Sequence, residues 1–444
     1  MVQEADVKPW LRPPPKAYIL HNANVVDVAQ GSIRGFATVT IQNGKISSIR
    51  SASAQLPSQP GFTVIDCTGQ YLCPGLIDSH VHLVSVPGFM DLASAFGNPE
   101  SVSLLRQPYV CSQMLHRGFT TIRDCGGAHS AIKEAIADGV FPGPRLFIAG
   151  HALSQSGGHA DFRNKHDHSA CCGGATNGLG RVCNGVPQCM QAVREEIRSG
   201  SDFIKVMGSG GVSSPTDKID HLQFTGKEIR AMVECAKNAG TYVTAHAYTP
   251  EAIKHCVRNG VKGIEHGNFL DKETAELLVK NNVYLTPTLV TYDQMASSKW
   301  DGYLTPESQS KNTEVLDSGI KALQVAHEAG VKICFGTDLL GPLGAAQTRE
   351  FAIRAKVLPS LDVLRMATLN AAQMLRQESH IGQIQEGFEA DILFLTVNPL
   401  EDVTILDQPE QFVKGVMKEG RIYKSRTSAI AEDAGVPIRV KPQL

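Results

Sequence analysis

Short apolar runs recur along most of the chain and are separated by longer amphipathic segments. Runs that are apolar at nearly every position are typical of parallel strands buried on both faces. From residue 76 onward the sequence contains eight of them: Leu76–Leu83, Phe119–Asp124, Arg145–Leu153, Phe203–Gly208, Tyr242–Tyr248, Gly263–Phe269, Val283–Val290 and Lys332–Asp338.

Several of the intervening segments have the pattern of helices. Thr225–Ala239 begins with a Thr N-cap, has Glu228 three positions later and is followed by Gly240. Eight strand–helix units over roughly 260 residues fit an α/β fold of the closed, TIM-like (β/α)8 barrel type better than an open sheet. A doubly wound Rossmann sheet is the alternative, but no G-x-G-x-x-G motif follows the first run.

The two ends of the chain are rich in short strand patterns and have little helical periodicity. Asn43-Gly44 lies between two such patterns and indicates a hairpin. Because neither end could bury a core alone, we predict that they pair into one small β-sandwich beside the barrel. The predicted organisation is therefore residues 1–73 and 385–444 for the sandwich and tail, and residues 74–384 for the barrel.

Charge and composition exclude several classes of partner. The 444 residues include 42 Lys and Arg against 44 Asp and Glu, a formal net charge of −2, which gives no sign of nucleic-acid binding. No apolar run approaches the roughly 18 residues that a membrane-spanning helix needs. The polar, Pro-rich segment Met1–Lys16 leaves two interpretations, an intracellular protein or a secreted one whose leader has been removed, and we favour the second slightly.

Four of the eleven cysteines crowd into one Gly-rich stretch: Cys171, Cys172, Cys183 and Cys189. Their spacing matches no tetrahedral zinc pattern, so we favour a disulfide-pinned loop over a metal knuckle. An odd total leaves at least one thiol unpaired.

Side chains able to bind a metal end several predicted barrel strands, at the face where TIM-barrel active sites lie. His80 and His82 are two residues apart on the first strand and therefore point to the same side. Each position alone could be a buried polar residue with a structural role, but so many ligand types at one rim indicate a metal site. The other four candidates are Lys205, His246, His266 and Asp338.

Lys205 lies between apolar neighbours on its predicted strand, where a charged amine is costly. It either extends to the rim or pairs with an acid, or its neutral amine reacts with CO2 to give a carbamate. A carbamate has two oxygens and can bridge two ions. Nitrogen and oxygen ligands without thiolate suit zinc, so the sequence predicts two divalent ions, Zn²⁺ being favoured.

These motifs resemble the amidohydrolase superfamily along nearly the whole chain. Pro74–His82 resembles its first-strand motif, and Lys205, His246, His266 and Asp338 resemble its later ligands in order. Within the superfamily the chain resembles the branch of dipeptidases and N-acyl-amino-acid hydrolases, and the fungal ochratoxinases most. The segments that resemble the returning sandwich strand and this branch are Gly387–Ile392, Ser156–His159, Phe203–Ser209 and Ala245–Tyr248.

The resemblance implies a role for each residue. His80, His82 and Asp338 would hold one ion, His246 and His266 the other, and carbamylated Lys205 would bridge them. Asp338 would move the proton of water to the leaving amine. His159 would support the carbonyl oxygen and Tyr248 would contact the substrate's carboxylate, with structural roles as the alternative for both.

We therefore expect a carboxypeptidase-like hydrolase of N-acyl L-amino acids with an apolar or aromatic C-terminal residue. Ochratoxin A, which the ochratoxinases split into ochratoxin α and L-phenylalanine, is the specific candidate. The alternatives are an Xaa-Pro dipeptidase or cyclic-amide hydrolase, and a non-catalytic binding module, which the presence of Lys205 and Asp338 disfavours. We also expect a homo-oligomer, with an octamer as the candidate assembly, and a specificity lid over Asp161–Pro187.

Overall fold

The computed structural model describes residues 4–435 and 437, except 54, 56, 164, 167–174, 177 and 215. The strands are β1 (Ala17–Asp27), β2 (Ser32–Gln42), β3 (Lys45–Ser51), β4 (Phe62–Asp66), β5 (Tyr71–Pro74), β6 (Leu76–Val81), β7 (Phe119–Asp124), β8 (Arg145–Ile148), β9 (Ala152–Ser154), β10 (Ala175–Thr176), β11 (Gly180–Val182), β12 (Ile204–Met207), β13 (Val243–Ala247), β14 (Gly263–His266), β15 (Tyr284–Thr286), β16 (Ile392–Leu395), β17 (Val413–Lys418) and β18 (Arg421–Ser425).

Helices follow most of the central strands. They are α1 (Glu4–Val7), α2 (Leu92–Phe96), α3 (Glu100–His116), α4 (Ser130–Ala137), α5 (Gly185–Arg198), α6 (Gly226–Asn238), α7 (Pro250–Arg258), α8 (Lys272–Lys280), α9 (Leu289–Met295), α10 (Pro306–Glu328), α11 (Arg349–Arg354), α12 (Ser360–Met366), α13 (Leu369–Met374) and α14 (Pro409–Phe412), with 3-10 helices at Ser298–Trp300, Gly341–Ala346 and Val403–Asp407. The predicted helix at 225–239 is confirmed, and Thr225 and Glu228 form its capping box. No helix in the described part of the chain is long and apolar enough to cross a membrane.

The predicted barrel is confirmed, since its strands pair in parallel around a closed ring. β6, β7 and β8 form one arc, and β9, β12, β13, β14 and β15 form the other. The third predicted strand is split into β8 and β9. The eighth, at 332–338, is an extended segment rather than a regular strand: it bridges β15 through Leu285 and Ile333 and bonds β6 through Ser79 N and Phe335 O at 2.8 Å.

The head and tail of the chain share one mixed sheet. β16 pairs with β5, which pairs with β1, so that the tail strands β16–β18 continue the sheet begun by β1–β4. The hairpin at Asn43-Gly44 is present, and Gly44 packs against the β17–β18 turn at Glu419 and Gly420. These strands enclose a hydrophobic core of their own, which includes Leu20, Val39 and Phe394.

A partly buried cluster of ion pairs connects this sheet to the barrel. Arg145 at the start of β8 donates from Nη1 to Asp391 Oδ2 at 2.6 Å and from Nη2 to Glu419 Oε1 at 2.8 Å. The backbone carbonyl of Asp391 also accepts from Gly75 N at 2.9 Å. These contacts hold the strand that enters the barrel, β6, in register with the tail.

The favoured disulfide is not formed between the cysteines that can be placed. Cys183 and Cys189 are buried free thiols in contact with each other, at the end of β11 and in α5. The contact with Cys183 and burial raise the pKa of the Cys189 thiol, which keeps it protonated. Cys171 and Cys172 lie outside the described residues, as does much of the insertion predicted to form a lid.

Candidate active site

The structure brings all six predicted ligands to one mouth of the barrel. His80 lies on β6, and His82 comes directly after that strand. The other four side chains are Lys205 on β12, His246 on β13, His266 on β14 and Asp338 in the eighth extended segment. The same narrow cleft is lined by His80, His82, Phe96, His159, Phe162, Leu179, Lys205, Met207, Ser213, His246, His266, Asp338 and Leu340.

His80 is oriented by a carboxylate beneath it. Its Nδ1 donates to Glu265 Oε2 at 2.8 Å, which leaves Nε2 as the acceptor nitrogen. This Nε2 atom is buried and has no hydrogen-bond partner among the residues that the structure describes. Burial, followed by the charge of Lys205, lowers the pKa of His80 to about 4, so the ring is neutral at pH 7. A neutral imidazole with a buried, unpaired lone pair suits a metal ligand.

The other three histidines are held in the same way, each through one ring nitrogen. His82 Nδ1 lies 2.8 Å from the Gly126 carbonyl oxygen, and His246 Nε2 lies 3.1 Å from that of Gly210. His266 Nδ1 lies 2.8 Å from the Thr288 hydroxyl. Burial holds the pKa of both His246 and His266 well below the ordinary value. Among the described residues, His246 and His266 therefore each keep a second nitrogen for an ion, whereas the second nitrogen of His82 contacts Asp338.

Asp338 lies at the centre of the histidine cluster. Its Oδ1 is 3.2 Å from His82 Nε2 and 3.5 Å from His80 Nε2. Although burial opposes it, the electrostatic influence of the neighbouring His80 ring and the hydrogen bond from His82 lower the pKa of this carboxyl below its usual range. Asp338 and His266 both adopt the left-handed conformation, with φ of 51° and 75°. Such backbone is costly in non-glycine residues and is typical of functional sites.

Lys205 is only 1% exposed, so its amine does not extend to the rim. Among the described residues it forms no ion pair with a carboxylate, although its charge acts on the neighbouring histidines. A lysine placed among four histidines without an acidic partner has no structural explanation here. The carbamate anticipated from the sequence would replace this positive charge by a negative one.

The donor set fits divalent metal ions. Donor atoms of His80, His266 and Asp338 all lie within 4.8 Å of one another. Neutral imidazoles and a carboxylate are the ligands that zinc and related ions prefer. Buried polar atoms normally have a hydrogen-bond partner, and His80 Nε2 has none among the described residues. A metal ion bound to this nitrogen would explain why it is unpaired.

His159 lines the cleft, and its hydrogen bonds define which nitrogen can accept. Its Nδ1 lies 2.8 Å from the Ser214 hydroxyl, whose own proton is directed to Asp217. Ser214 must therefore accept from Nδ1, which makes Nε2 an acceptor in the neutral ring. Burial lowers the pKa of His159 to about 4. Support of a carbonyl oxygen, the role that the resemblance implied, would require the protonated ring.

Tyr248 is placed behind the ligands rather than in the cleft. Its ring stacks on His266 with centroids 5.2 Å apart, and its hydroxyl lies 2.8 Å from that of Tyr292. Tyr292 in turn lies 3.0 Å from His266 Nδ1. Tyr248 is not among the described residues that line the cleft, so its contact with substrate stays a prediction.

Sequence reasoning missed the charged groups that support the ligands. Glu265 is fully buried and accepts from Arg123 Nη2 at 2.6 Å and from the Thr244 hydroxyl. Arg123, which is also buried, donates from Nε to the carbonyl oxygen of Ser79 at 2.5 Å. The sequence feature that could have identified them is a charged residue inside an apolar strand, as in GIEH (263–266) and FTTIRD (119–124).

We predict that Glu265→Gln weakens metal binding by roughly 10- to 100-fold, because the amide no longer fixes the His80 tautomer. Competition with a chromophoric chelator measures the affinity directly and does not depend on activity. Glu276→Gln on the exposed side of α8 is the matched control and should leave the affinity unchanged. Equal affinities in the Glu265→Gln variant and the parent would show that Glu265 does not orient His80.

Comparisons with known proteins agree with this site. The model of the Amidohydrolase family matches residues 71–423. Ochratoxinase of Aspergillus niger is 33% identical over 364 residues, which cover 80% of this chain and 75% of that protein.

Two solved structures have the same fold along their whole length. A prolidase complexed with N-methylphosphonate-L-proline is 39% identical with a TM-score of 0.88, and the match covers 92% of this chain and 100% of that one. The crystal structure of A. niger ochratoxinase is 29% identical with a TM-score of 0.80, covering 96% of this chain and 100% of that one. The resemblance seen in the sequence is confirmed, and the chain belongs to the amidohydrolase family.

Proposed function

We propose that this hydrolase uses two divalent ions, Zn²⁺ being favoured, to cleave the amide bond of N-acyl L-amino acids with an apolar or aromatic C-terminal residue. The observation that carries the proposal is the convergence of six ligand-type side chains in one cleft of a family member. Ochratoxin A is the specific candidate substrate, because an ochratoxinase is among the relatives. The homo-oligomer expected from the sequence stays a prediction.

The family resemblance implies how the ligands would divide between the two ions. His80, His82 and Asp338 would hold one and His246 and His266 the other, with a carbamate on Lys205 shared between them. When bound, such ions lower the pKa of water and polarise the scissile carbonyl. To form the carbamate, the neutral Lys205 amine adds to CO2 and loses one proton.

Asp338 would carry the proton between the two halves of the reaction. Its carboxylate accepts a proton from the attacking water as the new C–O bond forms. It then delivers that proton to the amide nitrogen as the C–N bond breaks, since an unprotonated amine is a poor leaving group. The low pKa of this carboxyl, which His80 and His82 cause, keeps it ionised at neutral pH.

The hydrogen-bonding state of His159 favours a secondary amide, which has an N–H, as the substrate. In the neutral ring Nε2 is an acceptor, and the N–H of an N-acyl amino acid is a matching donor. The bond before proline has no such hydrogen. An Xaa-Pro dipeptidase nevertheless remains the second candidate, because the prolidase structure is 39% identical to this chain.

A substrate panel separates the candidates. The zinc-loaded protein should hydrolyse N-acyl-L-phenylalanine and N-acyl-L-leucine with kcat/KM at least about 10-fold above the corresponding L-proline compounds. Release of the free amino acid is the readout. A preference for N-acyl-L-proline or Xaa-Pro dipeptides would assign the second candidate function, and no hydrolysis of either series would end the proposal.

Lys205→Ala should lose bound metal and activity together, because the shared ligand is removed. Elemental analysis should give close to two divalent ions per chain for the parent, and fewer for the variant. A short carboxylic acid such as propionate should restore part of the activity. Lys262→Ala, which removes an exposed lysine before β14, is the control and should keep both ions. An unmodified Lys205 amine in active, metal-loaded enzyme would contradict the bridging role.

Asp338→Asn should keep the fold and much of the metal while turnover falls by at least roughly 10³-fold. The amide binds an ion more weakly and cannot accept the proton of water. Thermal melting and metal content establish that the variant is folded and loaded. Turnover within tenfold of the parent in such a sample would remove Asp338 from the proton transfer.

A further inference from the structure

A second, larger cavity opens directly outside the metal cleft. Its volume is about 960 Å³, near the upper end for small-molecule sites. We call it the vestibule. Among the described residues it is lined by Asp91, Leu92, Ala93, Phe96, Gly97, Phe162, Ser213, the segment 301–306, Ser308 and Gln309.

The vestibule and the metal cleft share a wall made of two phenylalanines and a serine. Phe96, Phe162 and Ser213 line both spaces. The two aromatic rings are stacked with centroids 4.5 Å apart and planes at 26°. A substrate whose scissile bond lies at the ligands therefore places one of its two halves against this aromatic pair.

The charge of the vestibule wall indicates which half of the substrate, acyl group or amino acid, it can accept. Asp91 and Asp301 are the charged side chains on its wall, and none of the described residues that line it is cationic. Two carboxylates disfavour the carboxylate of an amino-acid product and leave the neutral acyl half as the occupant. Asp91 is also committed to capping α2, since it accepts from both Ser94 N and Ser94 Oγ at 2.8 Å.

We propose that the vestibule is the acyl subsite of this enzyme, that its ligand is a neutral, planar aromatic acyl group, and that Phe96 and Phe162 select it. This inference rests on the proposed hydrolysis of N-acyl amino acids, and it assigns a place in the structure to the acyl half, which that proposal does not. Aromatic rings that stack in an offset geometry gain stabilisation beyond their buried area.

The vestibule is built as a fixed space rather than an incidental gap. Leu92 N donates to the Tyr303 carbonyl oxygen at 3.1 Å, which ties α2 to the segment before α10. The Tyr303 hydroxyl donates to the Leu340 carbonyl oxygen at 3.0 Å, and Leu340 lies two residues after Asp338. The wall of the acyl subsite is thus attached to the loop that carries the proton-transferring carboxylate.

The test compares acyl groups on one amino acid. The zinc-loaded enzyme should hydrolyse N-(2-naphthoyl)-L-phenylalanine with kcat/KM at least about 10-fold above N-acetyl-L-phenylalanine. It should also prefer N-benzoyl- over N-(4-carboxybenzoyl)-L-phenylalanine, whose added carboxylate meets Asp91 and Asp301. Phe96→Leu and Phe162→Leu should each lower the naphthoyl-to-acetyl ratio by roughly fivefold to tenfold.

The ratio is the readout because a general loss of activity cancels from it. Phe36→Leu, the same substitution at a phenylalanine that is 75% exposed on β2, is the matched control and should leave the ratio unchanged. An unchanged ratio in both vestibule variants, or a preference for the carboxybenzoyl compound, would overturn the acyl subsite while the proposed function stands. If no N-acyl amino acid is hydrolysed, the proposed function fails instead. Binding of 2-naphthamide, followed by its fluorescence, then tests the vestibule: weaker binding to Phe96→Leu than to the parent supports it, and equal binding overturns it.

Discussion

One buried carboxylate, that of Glu265, connects two opposite arcs of the barrel at the floor of the metal site. It accepts from Arg123 on β7, from His80 on β6 and from Thr244 on β13, and it lies on β14 itself. A buried ion without partners costs several kcal/mol, so all of these groups must be in register for the core to be stable. Although burial opposes it, the charge of Arg123 holds the pKa of Glu265 well below its ordinary range.

Because Glu265 is part of the buried core, the packing of the core also determines how the candidate ligands are oriented. The hydrogen bond to Glu265 fixes the tautomer of His80, and the left-handed backbone of His266 and Asp338 turns their side chains toward it. The neutral state of His80, His246 and His266 follows from the same burial, because water is excluded from around them. Folding therefore brings the donor atoms of His80, His266 and Asp338 within 4.8 Å of one another.

The barrel and the convergence of its six candidate ligands could be predicted from the sequence, because both have a regular signature. Apolar runs identify buried strands, and ligand types at their ends identify the active face, as for His246 and Asp338. Glu265 was missed because a charge inside a strand is ambiguous until its partner on another strand is known. The vestibule was missed for a different reason, since it is walled by the short helix α2, the irregular segment 301–305 and the first turn of α10, which come together only in the folded chain. The interaction between Cys183 and Cys189 likewise depends on how β11 meets α5.

The separation between ligands and vestibule has a consequence for how this enzyme could acquire new substrates. Its candidate metal ligands come from the strands and their immediate ends, whereas most of the wall of the proposed acyl subsite comes from the connections after β6 and β15, with Phe162 and Ser213 added from those after β9 and β12. Lengthening or rewriting those two connections would alter the accepted acyl group without disturbing Glu265 or the histidines. Libraries confined to residues 91–97 and 301–309 are therefore the economical starting point for directing the enzyme toward other aromatic amides, provided that the Leu92–Tyr303 backbone contact is kept.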